Sequence, residues 1–203
     1  LLKAGNNVIA TVLGNGRFFT MRQEYKPKKI NTFGYPKMLL QLEIEYTDGT
    51  RQRVVSGENW KLNVDGPIRT NNEYDGEEYD ATKELKGWNN IGYNDAAWMR
   101  PELVNAPAGY LSAQMSEPMK VMKSVKPVSI KKSTNGFIID AGRNIAGWLQ
   151  IKVHGKKGQP IKLNFAESLQ KDGSLYIANL RDAKVTDIYT CKGSGDEVWH
   201  PTF

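Results

Sequence analysis

Four carboxylates crowd six consecutive positions, Asp75, Glu77, Glu78 and Asp80, in the run Tyr74-Asp75-Gly76-Glu77-Glu78-Tyr79-Asp80. Several kinds of chemistry suit such a run. Glycosidases need two carboxyl groups, one as general acid and one as base or nucleophile. A non-catalytic sugar site uses the same residue types, carboxylates accepting from hydroxyls while aromatic rings cover the apolar face of the sugar. Oxygen-rich loops also hold Ca²⁺, although the regular EF-hand spacing is absent here. Against these stands a reading without any ligand: an acidic solvated loop whose tyrosines pack inward and whose acids pair with Arg69 or Lys83.

The other chemistry-bearing residues are sparser. There are two histidines: His154, on the polar side of a strand-like run, and His200, in Trp199-His200-Pro201. Neither has a nucleophile motif beside it, and Gly-x-Ser-x-Gly, Cys-x-x-Cys and His-Glu-x-x-His are all missing. Both read as surface histidines. The single cysteine, Cys191, follows Val185-Thr186-Asp187-Ile188-Tyr189-Thr190 and reads as a small half-buried strand residue rather than a nucleophile. Gly14-Asn15-Gly16 has no helix pattern after it and reads as a turn, not a phosphate cradle. In Asp140-Ala141-Gly142-Arg143-Asn144-Ile145-Ala146-Gly147-Trp148 two glycines bracket a polar connection. There Asp140 is expected to cap backbone N–H groups.

The elements that must position these residues are strands. Leu40, Leu42, Ile44 and Tyr46 alternate with polar residues; Asp48-Gly49 follows, then Thr50 to Val55, a strong hairpin signal. Trp60 to Val64, Leu149 to His154 and Ile161 to Phe165 repeat the period of two. Val8 to Leu13 reads as a short apolar strand. From Ile68 to Pro118 the periodicity fades, and the stretch reads as a long, aromatic and acidic loop. The expected fold is therefore all-β: two antiparallel β-sandwich, jelly-roll-like units, 1–117 and 118–203, with very little helix. Short turns are expected around Asp95–Trp98 and Leu175–Arg181. Leu42, Ile44, Ile151, Val153, Leu163 and Phe165 should be buried.

Composition narrows the class. The chain has 203 residues, 39% hydrophobic and 25% charged, the profile of an ordinary globular protein. The formal net charge is +6, but the lysines alternate with apolar residues and no nucleic-acid motif accompanies them, so a nucleic-acid partner is not expected. No apolar run reaches transmembrane length. One cysteine allows no internal disulfide and does not decide the compartment. A periplasmic or secreted location is expected, with a cytoplasmic one left open and any signal peptide lying outside these residues.

Taken together, the runs resemble bacterial α-L-rhamnosidases. The segments that carry the likeness begin with Gly5-Asn6-Asn7-Val8-Ile9, Leu13 to Gly16 and Leu40 to Thr50. Tyr74 to Ala81, Gly87-Trp88 and Asp95-Ala96-Ala97-Trp98 follow. Asp140 to Trp148, Ala166-Glu167-Ser168-Leu169, Asp172 to Tyr176, Thr186-Asp187-Ile188-Tyr189 and Trp199 to Phe203 complete the set. The resemblance implies accessory β domains of an inverting glycoside hydrolase that releases terminal α-L-rhamnose. Its catalytic carboxylates would sit in a helical barrel with no counterpart in this chain. No catalytic residue is therefore carried over, and both ends are expected to be truncated. In some relatives the first domain binds rhamnose through Ca²⁺. This implies Asp75, Glu77, Asp80 and Trp88 as sugar contacts and Glu77 and Asp80 as calcium ligands, with a rhamnose-containing glycoside as partner. Thr82 stands where the family commonly has Arg, which puts any contact made there in doubt. The alternative is a stand-alone carbohydrate-binding or adhesin-like sandwich.

Overall fold

The computed structural model describes residues 2–19, 34–106, 109–181 and 183–202. Ten strands dominate it: β1 (Gln41–Glu45), β2 (Arg51–Val55), β3 (Ile68–Asn72), β4 (Gly76–Asp80), β5 (Ser129–Ser133), β6 (Gly136–Asp140), β7 (Ile151–His154), β8 (Pro160–Asn164), β9 (Thr186–Thr190) and β10 (Asp196–Trp199). Among the described residues helix is confined to two single 3₁₀ turns, Ala81–Lys83 and Ala178–Leu180. The all-β expectation holds. Val8 to Leu13 forms no strand, and Trp60 to Val64 contributes one bridge, Leu62 to Met99.

β1 and β2 form the hairpin that Asp48-Gly49 announced, with Leu42 opposite Val54 and Ile44 opposite Gln52. Gly49 takes φ +83°, where a side chain would be strained. The Ile68 to Asp80 stretch is a second hairpin rather than a loop, which the mainly polar sequence of β3 concealed. It joins a four-stranded sheet of order β3-β4-β9-β8. β4 and β9 pair in parallel, Glu78 opposite Ile188 and Tyr79 opposite Tyr189; the other named strand pairs are antiparallel. The sheet thus draws β3 and β4 from one side of Pro118 and β8 and β9 from the other.

β7 and β10 form a second layer, Trp199 opposite Ile151 and Glu197 opposite Val153. The core lies between it and the four-stranded sheet. Ala81, Ile151, Tyr189, Cys191 and Trp199 are buried, with Tyr79, Leu149, Val153, Ile161 and Leu163 packed on them. Tyr189 stacks on Trp199 at 5.2 Å between ring centroids and on Tyr79 at 5.9 Å. Of the side chains expected to be buried, Ile151 is; Leu42, Ile44, Val153, Leu163 and Phe165 are half-buried. The β1–β2 hairpin has no second layer over it among the described residues, which is why Leu42 and Ile44 keep contact with water.

Candidate functional site

Alternation sets which acids point inward. On β4 the residues Glu77 and Tyr79 share one face, and Glu78 and Asp80 share the other. On β9 the inward set is Asp187 and Tyr189, with Cys191 continuing the period. The parallel register places Glu77 beside Asp187, so two carboxylates meet in the interior. The Glu77 backbone N–H donates to Asp187 Oδ1 at 2.9 Å.

Glu77 is 1% exposed. Both of its oxygens accept from the Thr202 backbone N–H at 3.0 Å, Oε1 also accepts from the Thr202 hydroxyl at 3.1 Å, and Oε2 from Asn71 Nδ2 at 3.3 Å. Burial pushes its carboxyl pKa up, the Thr202 and Asn71 hydrogen bonds hold it down, and the Asp187 charge adds to the rise. Asp187 is likewise raised by burial, against the hydrogen bond from Glu77. The chemistry open to Glu77 is limited by access: a general acid must touch the leaving oxygen, and this one is sealed against the chain near Thr202.

The other members of the run go elsewhere. Asp75 accepts from Asn72 Nδ2 at 3.2 Å and from the Lys184 backbone N–H at 3.2 Å, while its carbonyl accepts from Thr186 N at 2.9 Å. Asp80 turns to the opposite face and caps the first 3₁₀ turn, accepting from the Thr82 N–H at 2.9 Å and hydroxyl at 2.6 Å. Ca²⁺ takes about 6–8 oxygens around one point. Glu77 and Asp80, three residues apart on a strand, face opposite ways and do not fit one ion. Among the described residues no group of three or more His, Cys, Asp or Glu is arranged to hold a metal. Trp88 lies 6.4 Å from Trp98, and Tyr93 meets Trp98 edge-on at 5.6 Å. These rings pack on one another. Arg69 and Lys83, expected to neutralise the acidic run, both bind Asp65 instead, at 2.9 and 2.7 Å.

A further acid, Glu197, was not singled out by the sequence. It is buried on β10 and accepts four hydrogen bonds: Tyr189 O–H at 2.7 Å, Lys192 N at 2.9 Å, Gly193 N at 2.8 Å and Ser194 N at 3.2 Å. Burial pushes its pKa up, but the four donors outweigh that and hold it at about 2. The signal was present: Asp187 and Glu197 occupy inward positions of alternating strands, where apolar residues are usual. His154 and His200 are exposed, His154 against Asp196 at 3.2 Å and His200 against the Pro201 carbonyl at 2.7 Å. Cys191 is fully buried and its thiol pKa is raised by that burial, the opposite of what a nucleophile needs. Asp140 accepts from Gly142 N at 2.7 Å, as its place in the glycine-bracketed turn suggested.

The same two stretches that the sandwich core brings together match two families. Residues 1–123 match the α-L-rhamnosidase N-terminal domain, and residues 130–203 match the bacterial α-L-rhamnosidase concanavalin-like domain. The chain belongs to the α-L-rhamnosidase N-terminal domain family. An α-L-rhamnosidase of Streptomyces avermitilis is 39% identical over 170 residues, 83% of this chain and 16% of that protein. One from Formosa agariphila is 32% identical over 216 residues, covering all of this chain and 22% of that protein. Among solved structures, the α-L-rhamnosidase from Dictyoglumus thermophilum superposes with a TM-score of 0.83 at 35% identity, over 94% of this chain and 21% of that one. The Streptomyces avermitilis enzyme, solved in complex with L-rhamnose, gives 0.77 at 39% identity, over 81% of this chain and 16% of that one. The chain thus spans about a fifth of the length of these rhamnosidases.

Within this rhamnosidase N-terminal region the buried acids are ties between segments remote in sequence. Glu77 and Thr202 are 125 positions apart, and Glu77 and Asp187 are 110 apart. Gly76 makes the closest approach possible: a Cβ there would lie 2.2 Å from the Thr186 carbonyl oxygen and 2.7 Å from Asp187 Oδ1. A shallow cleft of about 280 Å³ opens beside β8, lined by Asn164, Phe165, Leu175, Ile177, Arg181 and Lys184. It contains none of the buried acids.

Proposed function

We propose that this chain is the non-catalytic, accessory β part of an α-L-rhamnosidase polypeptide. The full polypeptide would remove terminal α-L-rhamnose from glycosides by inversion, in a periplasmic or secreted setting. Hydrolysis would belong to a helical catalytic domain of the same polypeptide. The observation that carries this reading is the successive match to the N-terminal and concanavalin-like rhamnosidase domains across the chain. The occupied carboxylates support the accessory role. A glycosidase pair keeps its two carboxyl groups about 5–10 Å apart across an open sugar-binding cleft, whereas Glu77 and Glu197 are both enclosed and saturated by protein donors. The relatives' rhamnosidase names supply the substrate class. Assay of the 203-residue chain and the intact polypeptide on an aryl α-L-rhamnoside tests both halves. The intact polypeptide should turn over and the chain alone should not. Turnover by the chain that disappears in Glu77→Gln would overturn the accessory assignment.

A further inference from the structure

Asparagine followed by glycine occurs twice in the chain, at Asn15-Gly16 and at Asn135-Gly136. Such a pair carries a reaction of its own. The glycine backbone nitrogen attacks the asparagine Cγ and an N–C bond forms. The Cγ–Nδ2 bond breaks, and ammonia leaves with the proton of the glycine N–H. The product is a cyclic imide. Water then adds to either imide carbonyl, breaks its C–N bond and leaves an aspartyl or an isoaspartyl linkage. No enzyme, metal or oxidant takes part, and a glycine favours the step because no Cβ hinders the ring.

The fold decides whether the ring can close. At the first pair the nucleophile is tied to the core. The Gly16 N–H donates to Asn71 Oδ1 at 3.3 Å. Asn71 is 6% exposed and in turn donates to Glu77 Oε2 at 3.3 Å. The Asn15 carbonyl accepts from the Phe19 N–H at 3.1 Å, and Asn15 and Gly16 are both half-buried.

The second pair stands at the tip of the β5–β6 hairpin. Its register sets Ser133 opposite Gly136, which leaves Thr134 and Asn135 as a two-residue turn. All four residues are exposed. Among the described residues none hydrogen-bonds the Asn135 side chain. A Cβ placed on Gly136 would meet nothing within 4 Å, so the ring has room. The turns that best match strand twist have positive φ at one or both central residues. Here Thr134 and Asn135 have negative φ, and the positive value, +144°, falls on Gly136. The hairpin pairs with no other strand among the described residues, and an isolated two-stranded hairpin is marginal in water. Its tip is where the backbone opens at least cost, and opening brings the Gly136 nitrogen to the Asn135 Cγ.

We infer that Asn135 is a site of spontaneous deamidation in the folded protein and that the fold protects Asn15. The inference stands independently of the rhamnosidase reading. The change sets a new carboxylate in the turn. The isoaspartyl form also adds a methylene to the main chain, where loop length sets the register of the strands.

The intact polypeptide is incubated at mildly alkaline pH, folded or in urea, and then digested. The peptides that contain Asn15 and Asn135 are weighed for the exchange of –NH₂ for –OH, and isoaspartyl linkages are counted by enzymatic methyl transfer to their carboxyl groups. Breaking one hydrogen bond before reaction slows a step about tenfold, so Asn135 should convert at least that much faster than Asn15 in the folded protein. In urea the two rates should come together, because both pairs then lie in unfolded chain. Conversion at neither site, equal rates in the folded protein, or faster conversion at Asn15 would overturn the inference. So would a difference that persists unchanged in urea, since the sequence neighbours rather than the fold would then set it.

Discussion

The core between the two sheets holds Glu77, Asp187 and Glu197 beside Tyr189 and Trp199, whereas the β5–β6 hairpin holds Val128, Ile130, Phe137 and Ile139 in water. The first region buries charge and the second exposes apolar surface, each against the usual partition. The difference lies in what each region finds inside the chain. Each buried carboxylate receives backbone N–H donors from within the described structure: Thr202 for Glu77, Glu77 for Asp187, and the Lys192 to Ser194 turn for Glu197. Buried polar groups that are fully paired specify one arrangement of their segments. Among the described residues, the hairpin pairs with no other strand.

The sharpest way to break the first region is Gly76→Ala. Gly76 sits at φ +97°, and its added Cβ would collide with the Thr186 carbonyl oxygen and Asp187 Oδ1. Both contacts are with groups that hold β4 to β9, so neither can yield cheaply. Strain and overpacking together should cost about 3 kcal/mol or more. Urea denaturation should show the loss, and a stability within error of the parent would mean that β4 and β9 are not joined as described.

Next in size is Glu197→Ala, which leaves four donors without their acceptor. An unsatisfied buried donor costs about 1–3 kcal/mol, and the exposed side of the Lys192 to Ser194 turn lets water recover part of that. A net loss of about 2–3 kcal/mol is expected on the same scale. Glu197→Gln should recover only part of it. The carboxylate divides its donors between two oxygens, Tyr189 and Lys192 on one, Gly193 and Ser194 on the other. An amide offers one acceptor oxygen and turns an N–H₂ toward the second pair of donors.

The acids of the two layers pull the pH dependence in opposite directions. Glu77 and Asp187 have raised pKa values, so their contribution to stability is fully present below the ordinary carboxylate range and is lost as pH rises through their folded pKa values. Glu197 is depressed to about 2, so its contribution is present above the ordinary range and is lost as pH falls toward 2. Melting temperature should therefore pass through a maximum in mild acid. Glu77→Gln should flatten the alkaline flank and leave the acid flank in place. A profile in Glu77→Gln identical to the parent's would show that Glu77 does not titrate between the folded and unfolded states.

Much of this architecture was legible in the chain. The alternation around Leu42 and Ile44 with Asp48-Gly49, and that of Ile151, Val153 and Ile161, placed four of the strands, because period two reports a half-buried sheet directly. β3 was hidden because Arg69, Thr70, Asn71 and Asn72 show no apolar period; their strand is specified by tertiary pairing with β4. The acids of the Tyr74 to Asp80 run were visible as residues, but their directions were not. A strand separates neighbours onto opposite faces, so a cluster in sequence became three separate roles in space. Asp80 finds its partner two positions on, in Thr82, but the partners that settle Glu77 and Asp75, namely Thr202, Asp187 and Lys184, lie more than a hundred positions away.

The smallest effect expected is the one that tests whether the acidic run acts as a unit. A calcium site would need Glu77 and Asp80 to converge, yet Asp80 faces away and is engaged by Thr82, while Glu77 is held inside by Thr202 and Asn71. Bringing Glu77 outward would break its hydrogen bonds to Thr202, the tie that spans 125 positions. The ion would have to replace these bonds and still gather about 6–8 oxygens in all. Adding Ca²⁺ or a chelator should therefore leave the melting temperature unchanged, and titration with L-rhamnose should give no calcium-dependent heat. A calcium-dependent rise in melting temperature that is lost in Asp80→Asn would mean that β4 rearranges to turn both carboxylates to one side, and the contrast between a tied interior and an open hairpin would have to be redrawn.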